Sequence, residues 1–371
     1  MMLDYLHAWL TDLSGPDGSD LYITVGAPPI LRGSGFKPLI DQPLQLGHVQ
    51  GILNELLTDA QRAAFEAECE FNMAYMIEGT GRFRINIFRQ RGLPGLVIRK
   101  ITTEIPTLQQ LNLPDQLYAL ANEKRGLVIM VGGTGSGKST TLAAMIGQRN
   151  HSAPGHIITI EDPVEYVHEH GQCIVTQREV GSDTHTFESA LKNALRQKPD
   201  LILLGEIRDH VTMEYAINIA ETGHLCLATL HANNANQALD RILSFFPQDM
   251  HNQVLLNLSL NLKALLSQRL VRTVDGKRRA ALEILLNQGL VKDLIRKGEV
   301  KDIKKVMADN AANGMLTFDQ SLLALFKDGV IDEETAMAEA DNATDLKLAM
   351  REARMGDGAG LGSVDTSRLT L

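Results

Sequence analysis

The stretch Gly132 to Ser139, GGTGSGKS, constrains this chain more than any other. Glycine, four residues, then Gly-Lys-Ser is the spacing of a phosphate-binding loop. The apolar run Leu127-Val128-Ile129-Met130-Val131 before it reads as a buried strand. Thr140-Thr141-Leu142-Ala143-Ala144-Met145 after it reads as a helix start. That strand–loop–helix context separates such a loop from the glycine-rich turn that composition alone could also produce. Glycines let consecutive backbone N–H groups converge on phosphate oxygens with no Cβ in the way, and the helix N-terminus adds partial positive charge. Lys138 would supply a full charge to the β- and γ-phosphates, and the Ser139 hydroxyl could ligate Mg²⁺. Gly132, Gly133, Thr134, Gly135, Ser136, Gly137, Lys138, Ser139 and Thr140 are therefore the expected nucleotide-binding residues, with ATP and Mg²⁺ as ligands.

A loop of this kind needs a parallel sheet around it, and the sequence reads that way. Strands are expected at 127–131, 156–160, 173–177, 201–204 and 224–229, and helices at 139–148, 186–197, 211–221 and 234–245. Alternation of this sort makes an α/β layer structure. From 249 onward the pattern is mainly helical, with one strand candidate at 280–285. Before the sheet, residues 1–101 read as a small α+β domain: an amphipathic helix at 2–13, a strand from Ser19, helical patches at 46–57 and 59–68, and strands at 71–77, 82–88 and 95–101. Residues 102–115, with Pro106 and Pro114, read as a linker. The ATPase domain is then expected over 116–354, and the Gly/Ser/Thr-rich 355–371 as a disordered tail.

Further candidates sit at strand ends. Leu201-Ile202-Leu203-Leu204-Gly205-Glu206 is an apolar strand ending in an acid, at the sheet edge where open α/β proteins bind ligands. Glu206 could polarise an attacking water or help order Mg²⁺. Glu161, Asp162 and Glu165 crowd the end of another strand, either around a metal or as a solvated acidic turn. His224 and His231 bracket a strand of seven residues, which would hold them about 20 Å apart, so they are not a metal pair. Singly each reads as a structural histidine; together, in a nucleotide domain, they suggest phosphate sensing. Arg82, Arg84, Arg89, Arg91 and Arg99 are a solvated or ion-paired set, or a source of arginine fingers to a neighbouring subunit.

Composition narrows the classes. Acids outnumber bases 45 to 36, against a dedicated nucleic-acid binder. Three scattered cysteines allow neither a disulfide framework nor a zinc pattern, which fits a reducing cytoplasm. No apolar run reaches the ~20 residues of a membrane span, and MMLDYLHAWL lacks the basic start of a signal peptide.

Taken in order, GSDLYIT, IEDPVEYVH, LLGEIRD and GHLCLATLHANNANQALDRILSFFP resemble successive boxes of the secretion-type ATPases of the RecA-like superfamily, the motors of type IV pili and type II secretion. Residues 2 to about 350 look like the retraction branch of that family. The resemblance implies a PAS-like N-terminal domain, a RecA-like parallel-sheet ATPase domain with C-terminal helices, and a homo-hexameric ring with ATP between subunits. It implies Glu206 as the catalytic glutamate, Ser139, Glu161 and Glu206 at the metal, and Glu161 and Glu165 in an acidic box. It places His224 and His231 in a histidine box, and Arg84 and Arg99 as the arginine pair that reaches nucleotide. CIVTQREVG and the long C-terminal extension look more like the accessory retraction motor than the main one. The main motor's retraction helix reads AIRNLIRE; here Leu290–Lys297 keeps only Leu-Ile-Arg. The implied partners are a paralogous retraction ATPase and an inner-membrane pilus platform protein, met from the cytoplasmic side without an integral membrane segment, and no nucleic acid. A self-sufficient retraction motor, a weakly hydrolysing regulatory subunit and a nucleic-acid translocase are the competing readings.

Overall fold

A computed structural model describes residues 2–15, 18–101 and 104–358. The chain forms two compact units: Met1–Ile105 with Glu165–Val167, and Pro106–Val164 with His168–Leu371. The expected tail lies outside the described residues from 359 on; residues 355–358 end a helix.

The first unit runs α1 (Met2–Leu13), β1 (Asp20–Thr24), β2 (Ile30–Arg32), β3 (Phe36–Pro38), α2 (Leu46–Leu56), α3 (Asp59–Glu68), β4 (Glu70–Ile77), β5 (Gly81–Gln90) and β6 (Leu93–Ile101). The strands pair in the order β3-β2-β1-β6-β5-β4, every pair antiparallel. The stripe Leu6, Trp9, Leu10 and Leu13 of α1 is buried, packing with Phe83, Ile85 and Ile87 of β5. A capping box starts α3, where Gln61 N–H donates to Thr58 Oγ1 and Thr58 N–H to Gln61 Oε1. Between β5 and β6 the turn is Arg91-Gly92, with φ of 51° and 76°, the two positive values that a two-residue hairpin of right-handed twist requires.

The second unit opens with α4 (Gln116–Ala121), β7 (Gly126–Val131), α5 (Lys138–Ser152), β8 (Gly155–Glu161), β9 (Cys173–Glu179), α6 (Phe187–Ala194), β10 (Leu201–Leu204), α7 (His210–Glu221), β11 (Leu225–Leu230) and α8 (Ala235–Ser244). It continues through α9 (His251–Asn261), β12 (Leu262–Arg272), β13 (Arg278–Leu286), α10 (Leu290–Lys297), α11 (Val300–Asp309), α12 (Phe318–Lys327), α13 (Glu333–Glu339) and α14 (Ala343–Gly358). Its sheet is ordered β13-β12-β7-β11-β10-β8-β9, parallel except for the β12–β13 pair. Every residue of β7, β10 and β11 is buried. Alternation divides them between two cores: Leu127, Ile129 and Val131 pack on one face of the sheet, Val128 and Met130 on the other.

One expectation fails instructively. The segment after α9 reads as continued helix, yet Leu262–Arg272 is β12, which pairs with β7 and β13. Its residues, LKALLSQRLVR, are mostly good helix formers. On the side of β7 away from β11, a row of buried backbone donors and acceptors needs a partner strand. Satisfying a buried ladder outweighs a helix propensity worth a few tenths of a kcal/mol per residue. The short strands β2 and β3 have no counterpart among the elements expected from the sequence. α12, α13 and α14 form a smaller core of their own with β12 and β13, around Phe318, Leu322, Ile331 and Leu346. Arg269 of β12 stacks 4.0 Å from the Phe318 ring centroid and pairs with Asp341 at 2.7 Å.

Candidate functional site

The loop leaves β7 at Val131 and enters α5 at Lys138. Gly135 and Gly137 have φ of 76° and 86°, a region that side-chain-bearing residues adopt only at a cost. At Gly132 the reason is space: a Cβ there would lie 2.4 Å from Ser136 Oγ and 2.7 Å from the Gln268 carbonyl oxygen. Gly133 and Gly135 differ, since a Cβ on either would meet nothing within 4 Å. The loop is thus tightly packed on its inner side and open on its outer side. Lys138, buried, donates from Nζ to the carbonyls of Gly132 and Gly133, each at 2.8 Å. Ser139 and Thr140 follow in the first turn of α5, half-buried, with Thr134 exposed at the loop's crest.

The parallel strands β7, β10 and β11 end on the same edge of the sheet, so their C-terminal residues gather beside this loop. Gly205 follows β10 and donates to the Ile160 carbonyl at 2.8 Å; a Cβ on it would come 3.1 Å from that oxygen. The close approach carries the chain to Glu206. One Glu206 carboxylate oxygen accepts from Arg208 Nε at 2.8 Å, and the other lies 3.2 Å from His231 Nε2, just beyond β11. Arg208 also reaches Asp162 at 3.2 Å. Asp162, Arg208, Glu206 and His231 therefore form one chain of polar contacts across three strand ends. Glu161, at the end of β8, accepts from Gln177 Nε2 at 3.4 Å. Next to them is a cleft of about 400 Å³ lined by Gly133, His231, Ala232, Asn233, Gln237 and Arg241.

Not every expected residue is part of this group. His224 precedes β11 at the opposite edge of the sheet, its ring 3.1 Å from Thr222 Oγ1. The strand between it and His231 sets that separation, as the sequence anticipated. Glu165 is exposed. Arg84 and Arg99 belong to the first unit, where they are direct cross-strand partners on β5 and β6. Arg99 pairs with the buried Asp20 at 2.8 Å, while Arg84 is exposed. Sequence reasoning passed over Arg208 and Gln268. Arg208 stood two residues after Glu206, a spacing that could have signalled it; Gln268 stood on a strand that had not been recognised.

The residues fit a nucleotide: a glycine cradle with open outer positions, a lysine and a helix N-terminus are what phosphate oxygens require. They also fit Mg²⁺ through oxygen donors, Ser139, Glu161 and Glu206, the hard ligand type that ion takes. Among the described residues no cluster of three His, Cys, Asp or Glu side chains could hold a metal by itself.

A parallel sheet whose first strand feeds such a loop, with a glutamate and a histidine at neighbouring strand ends, defines a phosphate-loop ATPase. The family described as type II/IV secretion system protein matches residues 72–325. The chain belongs to this family, and it is an ATPase. It is similar to the type IV pilus ATPase PilU of Pseudomonas aeruginosa, with 54% identity over 95% of this chain and 93% of PilU. With the retraction ATPase PilT of the same organism it shares 39% identity over 87% of this chain and 94% of PilT. A crystal structure of the pilus retraction motor PilT with bound ADP superposes with a TM-score of 0.85, at 38% identity, covering 92% of this chain and 98% of that one.

Proposed function

We propose that this ATPase drives type IV pilus retraction, and so twitching motility, as an accessory motor of the PilU kind. The observation that carries the reading is the greater likeness to PilU than to PilT of one organism across nearly the whole chain. In the proposed cycle Lys138 leaves the carbonyls of Gly132 and Gly133 for the β- and γ-phosphates of ATP, and the loop amides and the start of α5 bind the remaining oxygens. Ser139, Glu161 and Glu206 would hold Mg²⁺, which when bound offsets phosphate charge. Glu206 orients the attacking water, and His231 and Arg208 fix its carboxylate. Arg84 and Arg99 are supplied to the nucleotide of a neighbouring subunit in a homo-hexamer.

Among the described residues no helix is long and apolar enough to cross a membrane. The ring would sit in the cytoplasm, reaching the inner membrane through the pilus platform. The accessory role rests on α10, whose Val291, Leu294 and Ile295 are buried while Leu290 and Lys292 face solvent. At these two exposed positions the main motor's helix carries Ala and Arg. Lysine keeps the charge but loses the planar fork that grips a carboxylate at two points. Two strains test the reading. With the main motor deleted and this chain kept, pili should accumulate without retracting. Restoring a main motor with a dead phosphate loop should bring retraction back, now dependent on Lys138 of this chain. Retraction in the first strain would make the chain a self-sufficient motor; no retraction in the second would leave it a regulatory subunit.

A further inference from the structure

Gln268, in the strand that the sequence concealed, makes more contacts with the phosphate loop than its distance of over a hundred residues would suggest. It is buried, 3% exposed, at mid-strand in β12. Its Nε2 donates to the Ser136 carbonyl at 2.8 Å. Its Oε1 accepts from Thr141 Oγ1, also at 2.8 Å, and Thr141 is 1% exposed in the first turns of α5. Its backbone oxygen limits Gly132 and its amide nitrogen limits Gly137, since a Cβ on either glycine would lie 2.7 Å from it. The contacts fall at both ends of the loop, in its middle and on the helix behind it.

We infer that Gln268 is a positioning residue for nucleotide binding: it holds the loop and α5 at the spacing that lets the loop amides and Lys138 meet phosphate together. The chemistry singles out glutamine. The Ser136 carbonyl can only accept and, with Ser136 so paired, the Thr141 hydroxyl needs an acceptor. A planar amide offers one donor and one acceptor from a single head. Glutamate would set a carboxylate against the Ser136 carbonyl, and an aliphatic residue would leave both groups buried without a partner, at a cost of about a hydrogen bond each. Loop amides act on phosphate through fixed directions, so a loop that shifts loses several contacts at once.

The inference rests on the phosphate loop being the nucleotide site, and the test separates the two. Full-length Gln268→Met, Gln268→Glu, Thr141→Val and Thr141→Ser are compared with Lys138→Ala by fluorescent-ATP binding, steady-state hydrolysis and thermal melting. Thr58→Ala is the stability control, since it removes the cap of α3 in the first unit, where Gln61 N–H donates to Thr58 Oγ1. Expected results are a rise in ATP Kd of tenfold or more for Gln268→Met and a larger rise for Gln268→Glu. Thr141→Val should rise severalfold, and Thr141→Ser, which keeps the hydroxyl, should match wild type. In a Gln268→Met/Thr141→Val double mutant the second change should add less than twofold, because the bond they share is already gone. Thr58→Ala should lower the melting temperature with Kd unchanged. If Lys138→Ala loses binding while both Gln268 variants bind within twofold of wild type, Gln268 is only packing and the inference is overturned. If Lys138→Ala itself binds normally, the nucleotide site is misassigned. Should Gln268→Met fail to fold, Thr141→Val against Thr141→Ser decides, and equal affinities for that pair overturn the inference.

Discussion

Glu206→Gln separates chemistry from folding at one atom. The carboxylate is held by Arg208 at 2.8 Å and His231 at 3.2 Å. Both partners are about half exposed, with side-chain exposures of 51% and 48%, so water screens the pairs. Exposed ion pairs contribute ~0.2–1 kcal/mol each, and the amide keeps one oxygen as an acceptor. The expected loss of stability is about 1 kcal/mol, or ~2–4 °C in melting temperature for a domain of this size. Turnover should respond far more. A residue that orients or deprotonates the attacking water typically contributes ~10²-fold or more, which is ~2.7 kcal/mol of barrier. Nucleotide affinity should stay near wild type, since Lys138 and the loop are untouched. Phosphate release at saturating ATP and Mg²⁺, fluorescent-nucleotide binding and a thermal melt on one preparation read all three quantities. Turnover within twofold of wild type would refute the catalytic assignment. A tenfold loss of affinity at unchanged turnover per bound nucleotide would reassign Glu206 to holding the ligand.

Three further outcomes can be checked. Arg84→Ala protein should bind ATP and hydrolyse it poorly, and, if the proposed ring forms, mixing it with Glu206→Gln protein should restore part of the phosphate release; no recovery after verified subunit exchange rules out action in trans. Burial holds the His168 imidazole at about 4, against 6.5 when exposed. Between those values the unfolded chain binds the extra proton, so stability falls as pH drops from 6.5 to 4, by about 3 kcal/mol at ~1.36 kcal/mol per pH unit, and His168→Leu should flatten that part of a urea-midpoint profile. Burial works to raise the Asp341 carboxyl, but Lys304 and Arg269 outweigh it and hold it below the ordinary carboxylate range. Its contribution is therefore complete above pH ~4 and is lost as pH falls through the folded value; Asp341→Ala at neutral pH should cost ~2 kcal/mol and speed hydrogen exchange in α12–α14 first.

Local chemistry wrote much of the site into the sequence. A phosphate loop needs its glycines, lysine and hydroxyl within a single turn, so Gly132 to Ser139 carry the motif contiguously, and the strand and helix that flank it are implied by their apolar patterns. Glu206 was legible for a similar reason, because an acid two residues after four consecutive apolar ones, in a chain that already carries a phosphate loop, reads as a strand's end. Parallel strands also align their C-terminal ends whatever their order, so the sequence could place Glu161, Glu206 and His231 on one edge before the sheet order was known. Three things needed the tertiary structure. The order β12-β7-β11-β10-β8 sets which strand ends are neighbours, and only it makes Arg208 a bridge between Asp162 and Glu206. The state of Leu262–Arg272 was decided by β7, whose backbone groups needed a second neighbour, against the segment's own preference for helix. Gln268 follows from that pairing. Its register beside β7 puts the amide against Ser136 and Thr141, and no pattern within the sequence could have related residues so far apart. Motifs carried by consecutive residues are local and so can be read from the chain; contacts made across strands depend on register, which the packing of the whole sheet determines.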